Sequence, residues 1–112
     1  MTIYQRALQI WPILVCAAKD RRTYTYSEIA AELGMPKAAR VMGHFLDPIY
    51  RYCEDRRLPH LWALVVRKDT GLPGFGPTNP EEVERERERV FDYVWSVEKF
   101  PETVDFEQVY GK

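Results

Sequence analysis

Apolar residues recur at three- and four-residue steps through most of this chain, so its hydrophobic pattern predicts helices and very little strand. Ile3, Ala7, Leu8, Trp11, Leu14, Val15 and Ala18 mark one face of a first helix that Thr2 can cap and that runs to about Asp20. Pro12 interrupts that pattern, which predicts a kink or a fresh start near Ile10. Arg21 to Tyr24 reads as a polar-aromatic connector and one edge of a small ribbon. Thr25 then caps a second helix, with Glu28 three residues on as its reciprocal partner and Ile29, Ala30 and Leu33 facing inward. Gly34 is suited to the left-handed conformation that stops it.

Pro36 is placed to open a third helix, with Lys37, Arg40 and His44 on one side and Val41, Phe45 and Leu46 on the other. Asp47-Pro48 reads as the start of a fourth, Ile49 to Arg57, with Ile49, Tyr50 and Cys53 inward and Leu58-Pro59 as its end. The continuous apolar run Leu61 to Val66 reads as a strand, followed by a turn at Asp69-Thr70-Gly71. A Pro/Gly-rich loop, Leu72 to Thr78, is expected to serve as a wing or lid with Phe75 packed down. Asn79-Pro80-Glu81-Glu82 starts a last helix running to about Glu98, with Val83, Val90, Phe91, Val94 and Val97 on one face. After Lys99 no period is visible; Phe100, Phe106 and Tyr110 are expected to pin a loose tail.

These elements sum to one domain over residues 1–112: an N-terminal helix (1–20), a helix-turn-helix (25–46), a strand and wing (61–78), a C-terminal helix (79–98) and a tail (99–112). The apolar share, 46%, and fifteen aromatic residues argue against a disordered chain. The longest apolar run, Trp11 to Ala18, is far too short to span a bilayer and fits a core helix better than a signal peptide. Cys16 and Cys53 sit in helical patterns and read as reduced thiols of a cytoplasmic protein rather than as a disulfide.

Charge refines this picture. Lys19 to Lys68 holds ten Lys/Arg against six Asp/Glu, whereas Asp69 to Lys112 holds five against eleven. A basic middle beside an acidic end suggests that the middle meets a polyanion; plain solvation of two surfaces is the competing account. In the last helix, Glu81, Glu82, Arg85, Glu86 and Arg89 are spaced to pair along a solvated face.

Candidate chemistry is sparse. His44 and His60 lie sixteen residues apart, and Cys16 and Cys53 have no metal-type spacing, so His44 reads as a helix-surface and His60 as a loop residue. No metal or cofactor is expected. Tyr24 with Tyr26, and Tyr50 with Tyr52, are suited either to stacking on bases or to the edge of the core. The glycines of the 71–76 loop make a poor phosphate cradle, because an acidic helix start follows them.

Three helices followed by strand, turn and Gly-rich loop are the parts of a winged-helix or helix-turn-helix module. The stretch TYSEIAAELGMPKAARVMG, Thr25 to Gly43, resembles the DNA-binding segment of the alkylguanine-DNA alkyltransferases and their alkyltransferase-like relatives. Their shared pattern is Thr-Tyr-x-x-Ile-Ala, then Gly-x-Pro-x-Ala-Ala-Arg-x-Val-Gly; here Met42 replaces the valine before Gly43. The likeness extends from Ala18 to Arg67 and is dense only from Thr25 to Gly43. With the elements read above it gives a mainly α, winged-helix or helix-turn-helix-like domain with a short strand ribbon and an added C-terminal helix, and the resemblance implies double-stranded DNA as partner. It also implies a minor-groove approach permitted by small residues, here Ala38, Ala39 and Gly43. Arg40 would enter the base stack in place of a flipped nucleotide, and Tyr26 would help rotate the phosphate.

The pattern departs where the family carries its chemistry. Aligning Leu58-Pro59 with the family's Val/Leu-Pro sets Ala63, Leu64, Val65 and Val66 on the Pro-Cys-His-Arg block that holds the alkyl-accepting thiolate. Without a thiol, His or Arg there, no nucleophile can be activated, and the chain is not expected to be an enzyme. The expected DNA-contacting residues are Tyr26, Ser27, Lys37 and Arg40, with Arg21, Arg22, Arg67 and Lys68 on phosphates. The alternative is a protein-interaction or regulatory module that keeps the scaffold without binding DNA. Oligomeric state and sequence preference are not encoded in any recognisable signal.

Overall fold

The computed structural model describes residues 1–74, 79–96 and 100–111. It is mainly helical. Helix α1 spans Ile3–Lys19, strand β1 Tyr24–Thr25, α2 Tyr26–Glu32, α3 Met42–Arg56, strand β2 Val65–Val66, α4 Pro80–Asp92 and α5 Thr103–Gln108. Single 3-10 turns cover Ala39–Val41, Leu61–Leu64 and Val109–Gly111.

The predicted caps form. Thr2 accepts from the Gln5 N–H at 3.1 Å while the Gln5 side chain accepts from the Thr2 N–H at 2.8 Å. Thr25 and Glu28 make the same reciprocal pair at 3.1 and 2.9 Å. Asn79 takes the Glu81 and Glu82 N–H groups, with Pro80 at the first helical position. Gly34 ends α2 with φ +74°, a conformation costly for any residue with a Cβ.

The helix starts expected at Pro36 and Pro48, and the fresh start that is one of two outcomes expected at Pro12, are corrected. α1 runs unbroken through Pro12, with no fresh start at Ile10. The expected third and fourth helices are a single one, α3, with Pro48 inside it and its start moved from Pro36 to Met42. An internal proline loses one helical hydrogen bond and crowds the preceding turn, at a cost of about 3 kcal/mol. Burial on both sides offsets this: Ile10, Trp11, Leu14 and Val15 flank Pro12, and Leu46, Ile49 and Cys53 flank Pro48, all at most 3% exposed. α3 ends on Arg57 in the left-handed conformation, φ 56°.

The run Leu61 to Val66 is a strand only at its last two residues. All six side chains are buried, and such a run fits any fully enclosed backbone. β2 pairs in parallel with β1, Tyr24 opposite Val65 and Thr25 opposite Val66, so the ribbon edge expected near Tyr24 forms.

α4 stops at Asp92 rather than near Glu98. Tyr93 turns extended, Val94 points into solvent at 86% exposure, and Trp95 goes inward instead. The Trp95 indole N–H donates to the Val90 carbonyl at 2.9 Å, closing this turn. Burying the larger ring favours the exchange. Val97 and Glu98, like Phe75 in the expected wing, lie outside the described residues.

The tail is no loose strap. Glu102 and Asp105 form a capping box that opens α5, and Phe106 is fully buried against Trp11 and Tyr52, its ring centroid 6.2 and 5.5 Å from theirs. Tyr110 meets the Tyr4 ring edge-on, lies under the Arg51 guanidinium, and donates its hydroxyl hydrogen bond to Asp47. The core is therefore α1, α3, α5 and the Leu61–Leu64 turn, with α4 laid across one side.

Candidate nucleic-acid interface

The parallel register of β1 and β2 brings two parts of the expected interface together. Tyr26 and Ser27, the first residues of α2, leave β1 where Arg67 and Lys68 leave β2. The Arg67 charge reaches the Tyr26 phenol, where it opposes the upward shift in pKa that burial causes. The Tyr26 oxygen accepts the Gly74 N–H at 3.0 Å. A Cβ at Gly74 would lie 2.5 Å from that oxygen, so glycine is what lets the loop close on the ring. The turn after β2 is held by Gly71 N–H to the Arg67 carbonyl at 2.7 Å and Arg67 N–H to the Leu72 carbonyl at 2.8 Å. The Arg67 guanidinium spans both oxygens of Asp69, at 3.3 and 3.2 Å. Ser27 and Lys68 are exposed.

Lys37 and Arg40 do not ride on a recognition α-helix. Lys37 lies in the turn that follows Gly34, and Arg40 in the 3-10 turn that leads into α3. The turn is closed by Ala38 N–H to the Met35 carbonyl at 2.9 Å and Val41 N–H to the Ala38 carbonyl at 3.1 Å. No side chain caps the Ala39–Val41 turn or α3, which accounts for the delayed start of regular helix despite Pro36. Both cations are exposed, and among the described residues neither has an ion-pair partner. Met35, Pro36, Lys37 and Ala38 rim a shallow hollow of about 380 Å³. Gly43 follows in the first turn of α3, and a Cβ built there meets nothing within 4 Å. His44 is exposed beside it, as expected for a helix-surface residue.

Arg21 and Arg22 are engaged differently. Arg21 reaches across to α4, where its guanidinium donates to Asp92 at 2.7 Å and Glu88 at 3.4 Å and covers the Phe91 ring at 5.5 Å. Its pKa rises, chiefly through the Asp92 hydrogen bond. Arg22 lies over the Tyr24 ring at 4.3 Å and 3.8 Å from Glu28. These pairs are about half exposed, so each contributes little to stability and is screened by salt. Of the six expected cations, Arg21, Arg22 and Arg67 thus have carboxylate neighbours, while Lys37, Arg40 and Lys68 have none among the described residues.

The strand expected to replace the alkyl-accepting block is sealed: Ala63, Leu64, Val65 and Val66 are at most 5% exposed. Cys53 is buried beneath it, and burial pushes its thiol up to about 12, against the Leu61 N–H that favours the thiolate. Cys16 is on the surface, and neither thiol is in a disulfide. Among the described residues no three His, Cys, Asp or Glu side chains gather as metal ligands do.

Three features went unread in the sequence. Gly74 is the seat of Tyr26. Glu88 and Asp92 hold Arg21 rather than pairing only within α4. His60 is not a plain loop residue: its two ring nitrogens face Glu54 of α3 at 3.1 Å and Glu86 of α4 at 3.0 Å, and it stacks on Trp62. The Glu–Arg spacing in α4 was visible, but only Glu86–Arg89 forms the expected helical pair among the described residues. No helix among the described residues is long and apolar enough to cross a membrane. Compared with protein-family models, curated proteins and solved structures, the chain matches none.

Proposed function

We propose that this chain is a small, non-enzymatic DNA-binding protein of winged-helix type, using an alkyltransferase-like groove-facing surface without alkyl-acceptor chemistry. One observation carries the proposal: the retained motif presents Lys37 and Arg40 exposed and, among the described residues, without an ion-pair partner, beside a glycine that internal packing does not require. Arg40 enters the groove from the short turn before α3. Tyr26, Ser27, Arg67 and Lys68 flank it as phosphate contacts, the Tyr26 hydroxyl keeping its proton free to donate while its oxygen accepts from Gly74. Arg22 and Arg67 join when a phosphate displaces their weakly held carboxylates.

Affinity is therefore modest and salt-dependent. The three cations without carboxylate neighbours among the described residues, and the two more that join, put the slope of log K against log salt between about −2.7 and −4.5, at about 0.9 per neutralised phosphate. Fluorescence anisotropy with plain, mismatched and alkylated duplexes at two salt concentrations tests this. Arg40→Ala should weaken binding by about tenfold or more, in the range of a desolvated charge-assisted contact. Absence of wild-type binding at low salt refutes the proposal.

A second function, a protein-interaction module on the same scaffold, is favoured by the capture of Arg21 by α4, which removes a cation from any polyanion. Light scattering on a size-exclusion column separates the two: a stoichiometric protein complex without a DNA shift supports the second.

A further inference from the structure

One cation of α4 is placed unlike its neighbours. Arg85 and Arg89 are exposed, whereas Arg87 is half-buried. Its Nε is buried and meets no hydrogen-bond acceptor among the described residues. Burial draws its pKa below the ordinary arginine value, against Glu84, which favours the charged form. A guanidinium taken from water needs a compensating partner. Here that partner is the Gly71 carbonyl, which accepts a short charge-assisted bond from Arg87 Nη2 at 2.6 Å.

Gly71 belongs to the turn that carries Arg67 and Lys68 out of β2. Within that turn the Gly71 N–H bonds the Arg67 carbonyl, the Arg67 N–H bonds the Leu72 carbonyl, and the Thr70 hydroxyl accepts the Leu72 N–H at 3.2 Å. These bonds shape the turn without fixing where it lies. Two others fasten it to helices: Gly74 N–H to the Tyr26 oxygen at the start of α2, and Arg87 of α4 to Gly71. The Arg67 side chain is engaged by Asp69, so the turn presents Lys68 as a cation with no carboxylate neighbour among the described residues.

We propose that Arg87 is a positioning residue: by holding the Gly71 carbonyl to α4, it sets where Lys68 stands beside Tyr26 and Ser27. The consequence for DNA rests on the function proposed above; the tether does not. Hydrogen exchange followed by nuclear magnetic resonance reads the tether without DNA. In Arg87→Gln the Gly71 and Arg67 amides should exchange about tenfold faster, as expected for the loss of one charge-assisted bond, while amides of α1 keep their wild-type rates. Arg85→Gln removes the same charge from an exposed position on the same helix and should leave the turn unchanged. Duplex titration by anisotropy reads the consequence. Arg87→Gln should weaken binding about threefold more than Arg85→Gln does, and in a Lys68→Ala background that extra loss should vanish. A merely structural Arg87 would weaken both backgrounds alike. Unchanged exchange of Gly71 and Arg67 in Arg87→Gln overturns the proposal, and so does an equal loss of affinity in both backgrounds. If the wild type binds no DNA at low salt, the function proposed above fails, and the exchange rates alone decide whether Arg87 holds the turn.

Discussion

Gly43→Ala separates what the fold needs from what the surface is for. Gly43 is the second residue of α3, and its φ is not in the left-handed region. A methyl there meets no heavy atom within 4 Å. Alanine is favoured over glycine inside a helix by about 1 kcal/mol, and in a first turn roughly half of that applies. At an unfolding entropy of about 2.1 cal/mol/K per residue, a gain of about 0.5 kcal/mol raises Tm by about 2 °C for a chain of this length. If the small residues allow close approach to a groove, the same methyl obstructs the DNA and weakens binding about tenfold, or 1.4 kcal/mol. Thermal unfolding by circular dichroism and duplex titration by anisotropy read the two effects on one preparation. A lower Tm refutes the helical geometry at Gly43. A higher Tm with unchanged DNA affinity refutes the groove approach while leaving the fold intact.

Phe106→Ala should cost about 3–5 kcal/mol in urea unfolding, the range for a fully buried phenylalanine, and a loss under 1 kcal/mol would contradict the docking of α5. A thiol reagent at neutral pH should modify Cys16 rapidly and Cys53 only after denaturation, because burial holds the Cys53 thiol near 12; two fast thiols in the native protein would refute this. Burial raises the Tyr26, Tyr52 and Tyr110 phenols, with Asp47 adding to the rise at Tyr110. A raised folded-state pKa gives stability that is full below the ordinary tyrosine value of about 10 and is lost as pH climbs through the folded values. Unfolding free energy should therefore fall above about pH 10, with three of the seven tyrosines ionising late in an absorbance titration; uniform ionisation would argue against their burial.

The local signals that survived are those whose partners lie within one turn. Thr2, Thr25, Gly34 and Asn79 act through bonds to residues two to five positions away, so chain order alone exposes them. Pro48 misled as a helix start, and of the two outcomes expected at Pro12 the fresh start does not occur, because the force that keeps α1 and α3 continuous is burial against other elements, which no window of sequence contains. Pro36 misled in the opposite sense: it fits a helix start, but no neighbouring side chain caps the backbone there, and a 3-10 turn intervenes. The end of α4 was hidden because Val94 continues the helical period while Trp95 wins the interior. The candidate surface was legible as a motif, with Tyr26, Lys37 and Arg40 exposed or half-buried as it requires. Its supports were not: Gly74 under Tyr26 and the acids on Arg21 lie 48 and 67 to 71 residues away.

The division between a basic middle and an acidic end takes on a specific meaning in three dimensions. Glu81 and Glu82 sit in the first turn of α4, where they complement the helix dipole and face no cation of the middle segment among the described residues. Glu86 is spent on His60 and Arg89, which ties α4 to α3. Among the described residues of α4, only Glu88 and Asp92 pair with a cation of the basic middle, and they do so at Arg21; beyond α4, Asp69 pairs with Arg67 and Asp105 stands beside Arg56. An internal mimic of DNA would have to lie along Lys37, Arg40 and Lys68, and among the described residues no carboxylate does. α4 therefore neutralises Arg21 and leaves Lys37, Arg40 and Lys68 without a carboxylate neighbour among the described residues, so on the DNA reading proposed above a polyanion is excluded from Arg21 and not from those three.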